Sequence, residues 1–327
     1  MSGNHNSSLD RALSLVDVAA NSGADAIKLQ TYKADLLTIN SQHENFVVTG
    51  GGDGWAGQTL HDLYSKAATP WEWHEEIMKH ANKRGLLFFS SPFEETAVDF
   101  LEDLNVPAYK IASPEIIDHE LIKKVASTKK PIILSTGMAT LREIDEAVSI
   151  CRELGNHDIA LLQCTSSYPA SPEASNINTI VNLKETFNCE VGLSDPTLGI
   201  GVSIAAVTLG AVIIEKHFTI SRSDGGVDSA FSLEPEELAQ LVIETERAWL
   251  GLGSVSYGPN KEEGLSLMHR RSLYVCEDIK KGELLTKKNI RSIRPGYGLK
   301  PKYLPIVLGR KAKSDILKGT PLNFDYL

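Results

Sequence analysis

Cysteine is scarce, with four in 327 residues at positions 151, 164, 189 and 276, and no two of them stand in CxxC spacing. That pattern offers neither a disulfide framework nor a zinc site, so reduced thiols are expected. Long apolar runs are missing too. No stretch approaches the ~20 apolar residues that span a bilayer, and Met1-Ser2-Gly3-Asn4 has neither the basic nor the apolar region of a signal peptide. A cytoplasmic protein with no membrane partner is the expectation. Positive charge is in deficit, since 33 Lys and Arg face 42 Asp and Glu for a net charge of -9. Binding to nucleic acid needs a basic face, so no nucleic-acid partner is expected, whereas a small anionic substrate in a locally basic pocket stays open. No GxGxxG turn follows the first strand pattern, which removes the dinucleotide fingerprint.

What the chain does have is alternation. Short β-branched or apolar runs at 26–30, 86–90, 108–111, 132–135, 160–163, 191–193 and 212–217 read as strands, and amphipathic segments such as 9–21, 94–104, 121–127, 141–154 and 236–250 read as helices. Seven strands with crossover helices imply a parallel sheet. Ser2-Gly3-Asn4-His5-Asn6 reads as the end of an eighth strand, which predicts an α/β fold, a (β/α)8 TIM barrel with a truncated first strand. A doubly wound open sheet is the alternative. The stretch 31–69 is too long for an ordinary connection, and its Gly50-Gly51-Gly52-Asp53-Gly54-Trp55 predicts a lid.

After residue 250 the pattern changes. Gly251-Leu252-Gly253 and Tyr257-Gly258-Pro259 mark a linker over 251–270, and 271–327 reads as a small turn-rich β domain. Asp278-Ile279-Lys280-Lys281-Gly282 recurs as Asp315-Ile316-Leu317-Lys318-Gly319, a near-repeat that suggests internal pseudo-symmetry. A β fold of roughly 60 residues is marginal alone and is expected to dock on something.

In a barrel the carboxyl ends of the strands converge on one mouth. Here they supply Lys28 and Gln30, Ser90 and Ser91, Lys110 and Ser113, Ser135 and Thr136, Thr165 and Ser166, Ser194 and Asp195, and His217. One serine after a strand is an ordinary turn former, but five strands repeat the choice. Two lysines among hydroxyls point to an anion site for phosphate or carboxylate. The competing reading pairs those lysines with Glu115 and Asp228 as structural salt bridges. Beside such an anion, His217 suits an acid/base group or a ligand to an oxygen-loving divalent ion, Mg²⁺ or Mn²⁺.

Ala26-Ile27-Lys28-Leu29-Gln30-Thr31-Tyr32, Phe89-Ser90-Ser91-Pro92-Phe93, Tyr109-Lys110-Ile111-Ala112-Ser113, Ser135-Thr136-Gly137-Met138, Cys164-Thr165-Ser166-Ser167-Tyr168-Pro169, Gly192-Leu193-Ser194-Asp195 and Glu215-Lys216-His217-Phe218-Thr219 occur in the order found in the sialic acid synthase family, which this chain resembles over nearly its whole length. The C-terminal part, with Arg294-Pro295-Gly296 and its Lys-Gly turns, is similar to that family's SAF (β-clip, antifreeze-like) domain. Thr69-Pro70-Trp71-Glu72-Trp73-His74 and the segment from Ser223 to Leu233 look most like members that make pseudaminic acid. The resemblance implies condensation of phosphoenolpyruvate with an N-acetylated amino sugar, 2,4-diacetamido-2,4,6-trideoxy-L-altrose, assisted by Mn²⁺ or Mg²⁺. It implies Lys28, Lys110, His217 and Asp228 as catalytic groups, with His217 the metal ligand. Phosphoenolpyruvate would rest on Lys28, Ser91, Lys110, Ser113, Ser135, Ser166 and Ser194, and the sugar on Gln30, Glu115, Tyr168, Asp228 and Arg294. It further implies a domain-swapped homodimer in which Arg294 acts in the partner's site. Sister activities on N-acetylneuraminate or legionaminate precursors, and a non-catalytic sugar- or anion-binding relative, are the alternatives.

Two departures stand out. Many family members carry Ser-Asp-His-Thr with a second metal-binding histidine, where this chain has Ser194-Asp195-Pro196-Thr197. Asp195, His5 or water would then have to complete the coordination. The strand preceding Met1-Ser2-Gly3-Asn4-His5-Asn6 in the family is also absent, which leads us to expect that Met1 is an internal methionine of a longer natural chain.

Overall fold

The structure is a computed structural model that describes residues 1–49 and 56–327. The glycine run and Trp55 on which the lid expectation rested lie outside the described residues. The chain divides into two compact units, Met1–Gly253 and Ser254–Leu327.

The first unit carries seven strands: β1 (Ala26–Thr31), β2 (Leu87–Pro92), β3 (Tyr109–Ile111), β4 (Ile132–Ser135), β5 (Ile159–Cys164), β6 (Glu190–Ser194) and β7 (Ile213–Glu215). They pair in sequence order and all in parallel, curling into most of a (β/α)8 barrel. Helices intervene because each crossover of a parallel sheet needs one. Leu9–Asn21 starts on Ser8, whose hydroxyl accepts from the Arg11 N–H, and buries Ala12, Leu15, Val16 and Ala19. Leu141–Glu153 opens on a Thr140/Glu143 capping box and buries Ile144, Ala147, Val148 and Cys151. This apolar face packs into the same core as Leu29, Phe88, Ile111, Leu134, Leu161 and Val191.

Between β7 and β1 no ladder forms among the described residues. The buried Met1–His5 segment crosses that gap instead: the Met1 amino group donates to Lys28 O (3.0 Å), and Asn4 Nδ2 donates to Phe218 O and Ser232 Oγ (both 2.8 Å). Asn6 Nδ2 reaches Gly225 O at 3.1 Å. Ser2–His5 therefore forms a 3-10 turn, not a strand end.

Side chains alternate between the two faces of a strand. The registers place Lys28 and Gln30 of β1 beside Phe89 and Ser91 of β2, Lys110 beside Ile133, Ser135 beside Leu162, Cys164 beside Ser194, and Ser194 beside Glu215. These residues form the inner face of the sheet. Gly192 belongs to it, and a Cβ there would lie 2.3 Å from Ile213 O, so only hydrogen fits between β6 and β7.

In the second unit β8 (Ser272–Val275) pairs antiparallel with β9 (Ile290–Ile293) over a small core of Leu273, Val275, Ile279, Leu285, Ile290, Val307, Ile316 and Leu322. The near-repeat pairs with itself. Ile279 and Ile316 exchange both backbone bonds (2.9 and 2.8 Å), Asp278 Oδ1 accepts from Lys318 N (2.7 Å), and Asp315 Oδ1 accepts from Lys281 N (2.8 Å). Residues 271–327 hold thirteen Lys and Arg against five Asp and Glu, so this part is basic although the chain is acidic.

Candidate active site

The inner-face residues at the carboxyl ends of the strands meet around one carboxylate. Glu215 Oε1 lies 3.0 Å from Lys28 Nζ and 3.7 Å from Lys110 Nζ, and it accepts from Ser194 Oγ at 3.0 Å. Lys110, almost wholly buried, also donates to Ser135 Oγ at 2.6 Å. Burial pushes Lys110 down to about 8, against the pull of Glu215. Burial works the other way on Glu215, yet the charges of Lys110 and Lys28 and the bonds from Lys28 and Ser194 hold its carboxyl far below the usual range.

This geometry changes the acid named in the competing salt-bridge reading, which paired the lysines with Glu115 and Asp228. The acid that neutralises the two lysines is Glu215, and neither Glu115 nor Asp228 forms an ion pair with either lysine among the described residues. A signal for it was present: Glu215 stands two residues before His217 in the run read from sequence as a strand over 212–217, and so shares the face to which that histidine was assigned.

Ser113 and Ser166 come together over Gly137. The Gly137 N–H donates to Ser113 Oγ at 3.1 Å, and a Cβ on Gly137 would lie 2.5 Å from Ser166 Oγ and 2.7 Å from Ser113 Oγ. Two hydroxyls and a backbone hydrogen thus surround a spot that only glycine leaves open, the kind of cradle that suits an oxyanion. Ser91 Oγ is buried on the same inner face without a partner among the described residues. Ser90, its neighbour in sequence, points the other way and bonds Thr31 Oγ1 (2.6 Å), which in turn bonds His74 Nε2 (2.8 Å). An open cleft of about 420 Å³ adjoins these groups, with Thr136, Gln163, Cys164 and Ser166 in its walls.

His217 Nδ1 shares a hydrogen bond with Ser2 Oγ (3.2 Å) and stands 3.8 Å from Asp228 Oδ2. Burial lowers its imidazole to about 4, with Asp228 opposing, so the ring is neutral near pH 7. Tyr168 and Phe231 meet its ring edge to face at centroid distances of 5.7 and 5.1 Å. Lys28, Gln30, Glu215 and His217 border a cavity of about 20 Å³. On the 3-10 turn Ser113–Ile117, Glu115 has Oε2 buried without a partner among the described residues, and burial raises its carboxyl to about 7. Arg294 is exposed at the end of β9 in the second unit.

A divalent ion finds a thin donor set. Among the described residues no group of three His, Cys, Asp or Glu could hold one. Both Asp195 oxygens are engaged, Oδ1 by Thr197 and Oδ2 by Ser203 and Lys216. Both His5 nitrogens are bonded as well, to Ser7 N and Thr69 Oγ1. Neutral His217 with Asp228 nearby fits an ion that keeps most of its water, not a closed protein cage.

Comparison with known proteins finds relatives that span both units of the chain. The NeuB family model matches residues 15–257, and the SAF domain model matches 270–327. A pseudaminic acid synthase of Helicobacter pylori is 44% identical over 99% of this chain and 95% of its own length. An N,N'-diacetyllegionaminic acid synthase of Campylobacter jejuni is 37% identical over 94% of this chain and 93% of its own. Among solved structures, an N-acetylneuraminic acid synthetase of Leptospira borgpetersenii in complex with citrate superposes with a TM-score of 0.71 at 33% identity, over 80% of this chain and 86% of that one. The chain belongs to the NeuB family, with a SAF domain following the barrel in sequence, and is an enzyme of the nonulosonic acid synthase type.

Proposed function

We propose that the enzyme is a pseudaminic acid synthase, condensing phosphoenolpyruvate with 2,4-diacetamido-2,4,6-trideoxy-L-altrose and releasing phosphate. The observation that carries this reading is the pair of lysines converging on Glu215 beside the Ser113/Gly137/Ser166 cradle. Two ammonium groups and a ring of hydroxyls suit a substrate bearing both a phosphate and a carboxylate. The 44% likeness to a pseudaminic acid synthase, against 37% to a legionaminic acid synthase, supports the choice of sugar.

In this reading Lys28, Lys110 and the hydroxyls of Ser91, Ser113, Ser135, Ser166 and Ser194 hold phosphoenolpyruvate with its C3 toward the sugar. Gln30, Glu115, Tyr168 and Asp228 hold the sugar. The C3 carbon forms a bond to the aldehyde carbon, the carbonyl oxygen takes a proton, and C2 becomes cationic. Water adds to C2 and gives up a proton to Glu215, an ionised carboxylate at that position. The C2–O bond to phosphate then breaks as the new hydroxyl passes its proton to the departing phosphate, leaving the 2-keto acid, and the proton on Glu215 balances the one taken up by the sugar oxygen. A Mn²⁺ or Mg²⁺ ion held by His217 would polarise the sugar aldehyde.

The reading places the enzyme in the cytoplasm, where phosphoenolpyruvate is made. It also makes the enzyme a homodimer in which the SAF domain of one copy brings Arg294 to the other's site. The basic character of 271–327 within an acidic chain supports that pairing.

Phosphate release from phosphoenolpyruvate and Mn²⁺ with a panel of amino sugars tests the function. Release is expected with the 2,4-diacetamido-2,4,6-trideoxy sugar. Release with N-acetylmannosamine alone would move the assignment to N-acetylneuraminate, and binding without release from any sugar would refute synthase activity.

A further inference from the structure

We infer that the buried pair Lys216–Asp195 locks the register of β7, and that both are positioning residues for Glu215 and His217. The inference rests on the proposed function only in treating those two groups as the working ones.

Along β7 and its continuation the side chains alternate, so Glu215 and His217 share the inner face and Lys216 lies between them on the other. β7 is three residues long, half-buried throughout, and pairs with β6 alone among the described residues. Three register pairs hold it: Gly192 with Ile213, Leu193 with Ile214, and Ser194 with Glu215. A slip of one residue would carry Lys216 to the inner face and withdraw both Glu215 and His217 from it. Such a slip would leave Lys28 and Lys110 without their carboxylate.

Lys216 opposes that slip. Its ammonium is 3.0 Å from Asp195 Oδ2 and donates to Thr197 O at 2.6 Å, with only 4% and 1% of the two side chains exposed. Asp195 is itself immobilised. It accepts from Thr197 N (2.9 Å), Thr197 Oγ1 (2.7 Å) and Ser203 Oγ (2.6 Å), the last from the helix Gly201–Thr208. The Asp195 N–H donates to Glu215 O at 2.9 Å, so the acid and the strand are joined through backbone as well. A buried ion pair adds little net stability over well-packed apolar groups, and its best-attested use is to specify registry. Here the pair sits on a short strand whose correct register decides which face carries the acid and the imidazole.

The test uses Lys216→Met, which keeps length and removes charge, and Lys216→Arg, which keeps charge. Calorimetry with phosphoenolpyruvate gives its Kd and the number of competent sites, and phosphate release gives kcat per competent site. Lys216→Met is expected to lose at least 30-fold in kcat per site while the phosphoenolpyruvate Kd stays within threefold or tightens. Lys216→Arg is expected to recover at least a third of the wild-type kcat. A kcat per site within threefold of wild type in Lys216→Met overturns the lock, as does a loss confined to the number of competent sites. If Lys216→Met does not fold, Asp195→Asn is judged by the same two quantities. Amide exchange across 213–219 reads the lock without turnover: faster exchange in the variant supports it and unchanged exchange refutes it, even if wild type releases no phosphate with any sugar and the functional assignment falls.

Discussion

Replacing Glu215 by glutamine separates what this carboxylate does for stability from what it does for substrate. The variant keeps the shape and a carbonyl acceptor for Ser194 and Lys28 but removes the charge lying 3.0 Å from Lys28 and 3.7 Å from Lys110. Breaking a buried pair by removing one partner costs about 3–5 kcal/mol. Lys28 and Glu215 side chains are each about one-fifth exposed, so solvent screening lowers the expectation to about 2–3 kcal/mol. For a unit of this size that corresponds to a Tm lower by about 4–12 °C, read by calorimetry without substrate. Phosphoenolpyruvate should behave oppositely. Glu215 competes with the anionic substrate for the same two ammonium groups, so the variant is expected to bind phosphoenolpyruvate at least as tightly as wild type and to regain most of its lost Tm when saturated. Turnover should fall about 100-fold or more, the usual cost of a lost acid/base group. A tenfold weaker phosphoenolpyruvate Kd, or a kcat within threefold of wild type, would refute the reasoning.

Three further outcomes are expected. Gly137→Ala puts a Cβ 2.5 and 2.7 Å from the Ser166 and Ser113 hydroxyls, and should weaken phosphoenolpyruvate binding at least tenfold in calorimetry while moving Tm by less than about 3 °C. Lys110 titrates near 8 in the free enzyme, below its ordinary value, so phosphoenolpyruvate affinity measured against pH should hold below pH 8 and decline above it as the ammonium is lost. For folding the sign is reversed: the unfolded chain binds more protons between about 8 and 10.5, so the stability penalty of burying this lysine is present below pH 8 and is relieved as pH rises through that window. Ile316→Ala removes a buried side chain from the centre of the self-paired repeat, and should destabilise the second unit by about 2–4 kcal/mol, seen as faster amide exchange across 272–275 and 290–293.

Much of the barrel was legible in the sequence because its signals are local. Leu9–Asn21 follows from its apolar spacing and its Ser8 cap, and all seven strands follow from short apolar runs between turn residues. The lysines at 28 and 110 and the recurring serines were also visible, since each falls at the end of its own strand. Which member of each hydroxyl pair enters the site was not, because that depends on register. Ser91 faces inward with Gln30 while Ser90 turns outward to Thr31, and one residue of shift would exchange them.

By itself, then, the sequence determined the alternation of strands and helices, the second, repeat-bearing domain and the family, since these reside in neighbouring residues and their order. Tertiary structure alone decided that Glu215 neutralises Lys28 and Lys110, although it lies 187 and 105 positions along the chain from them, and that Asp195 turns outward to Lys216. It also decided that Asp278 and Asp315 serve each other's turns. The physical reason is the same in each case: an ion pair or a cap is selected by distance in space, and only the folding of each unit brings those groups within reach.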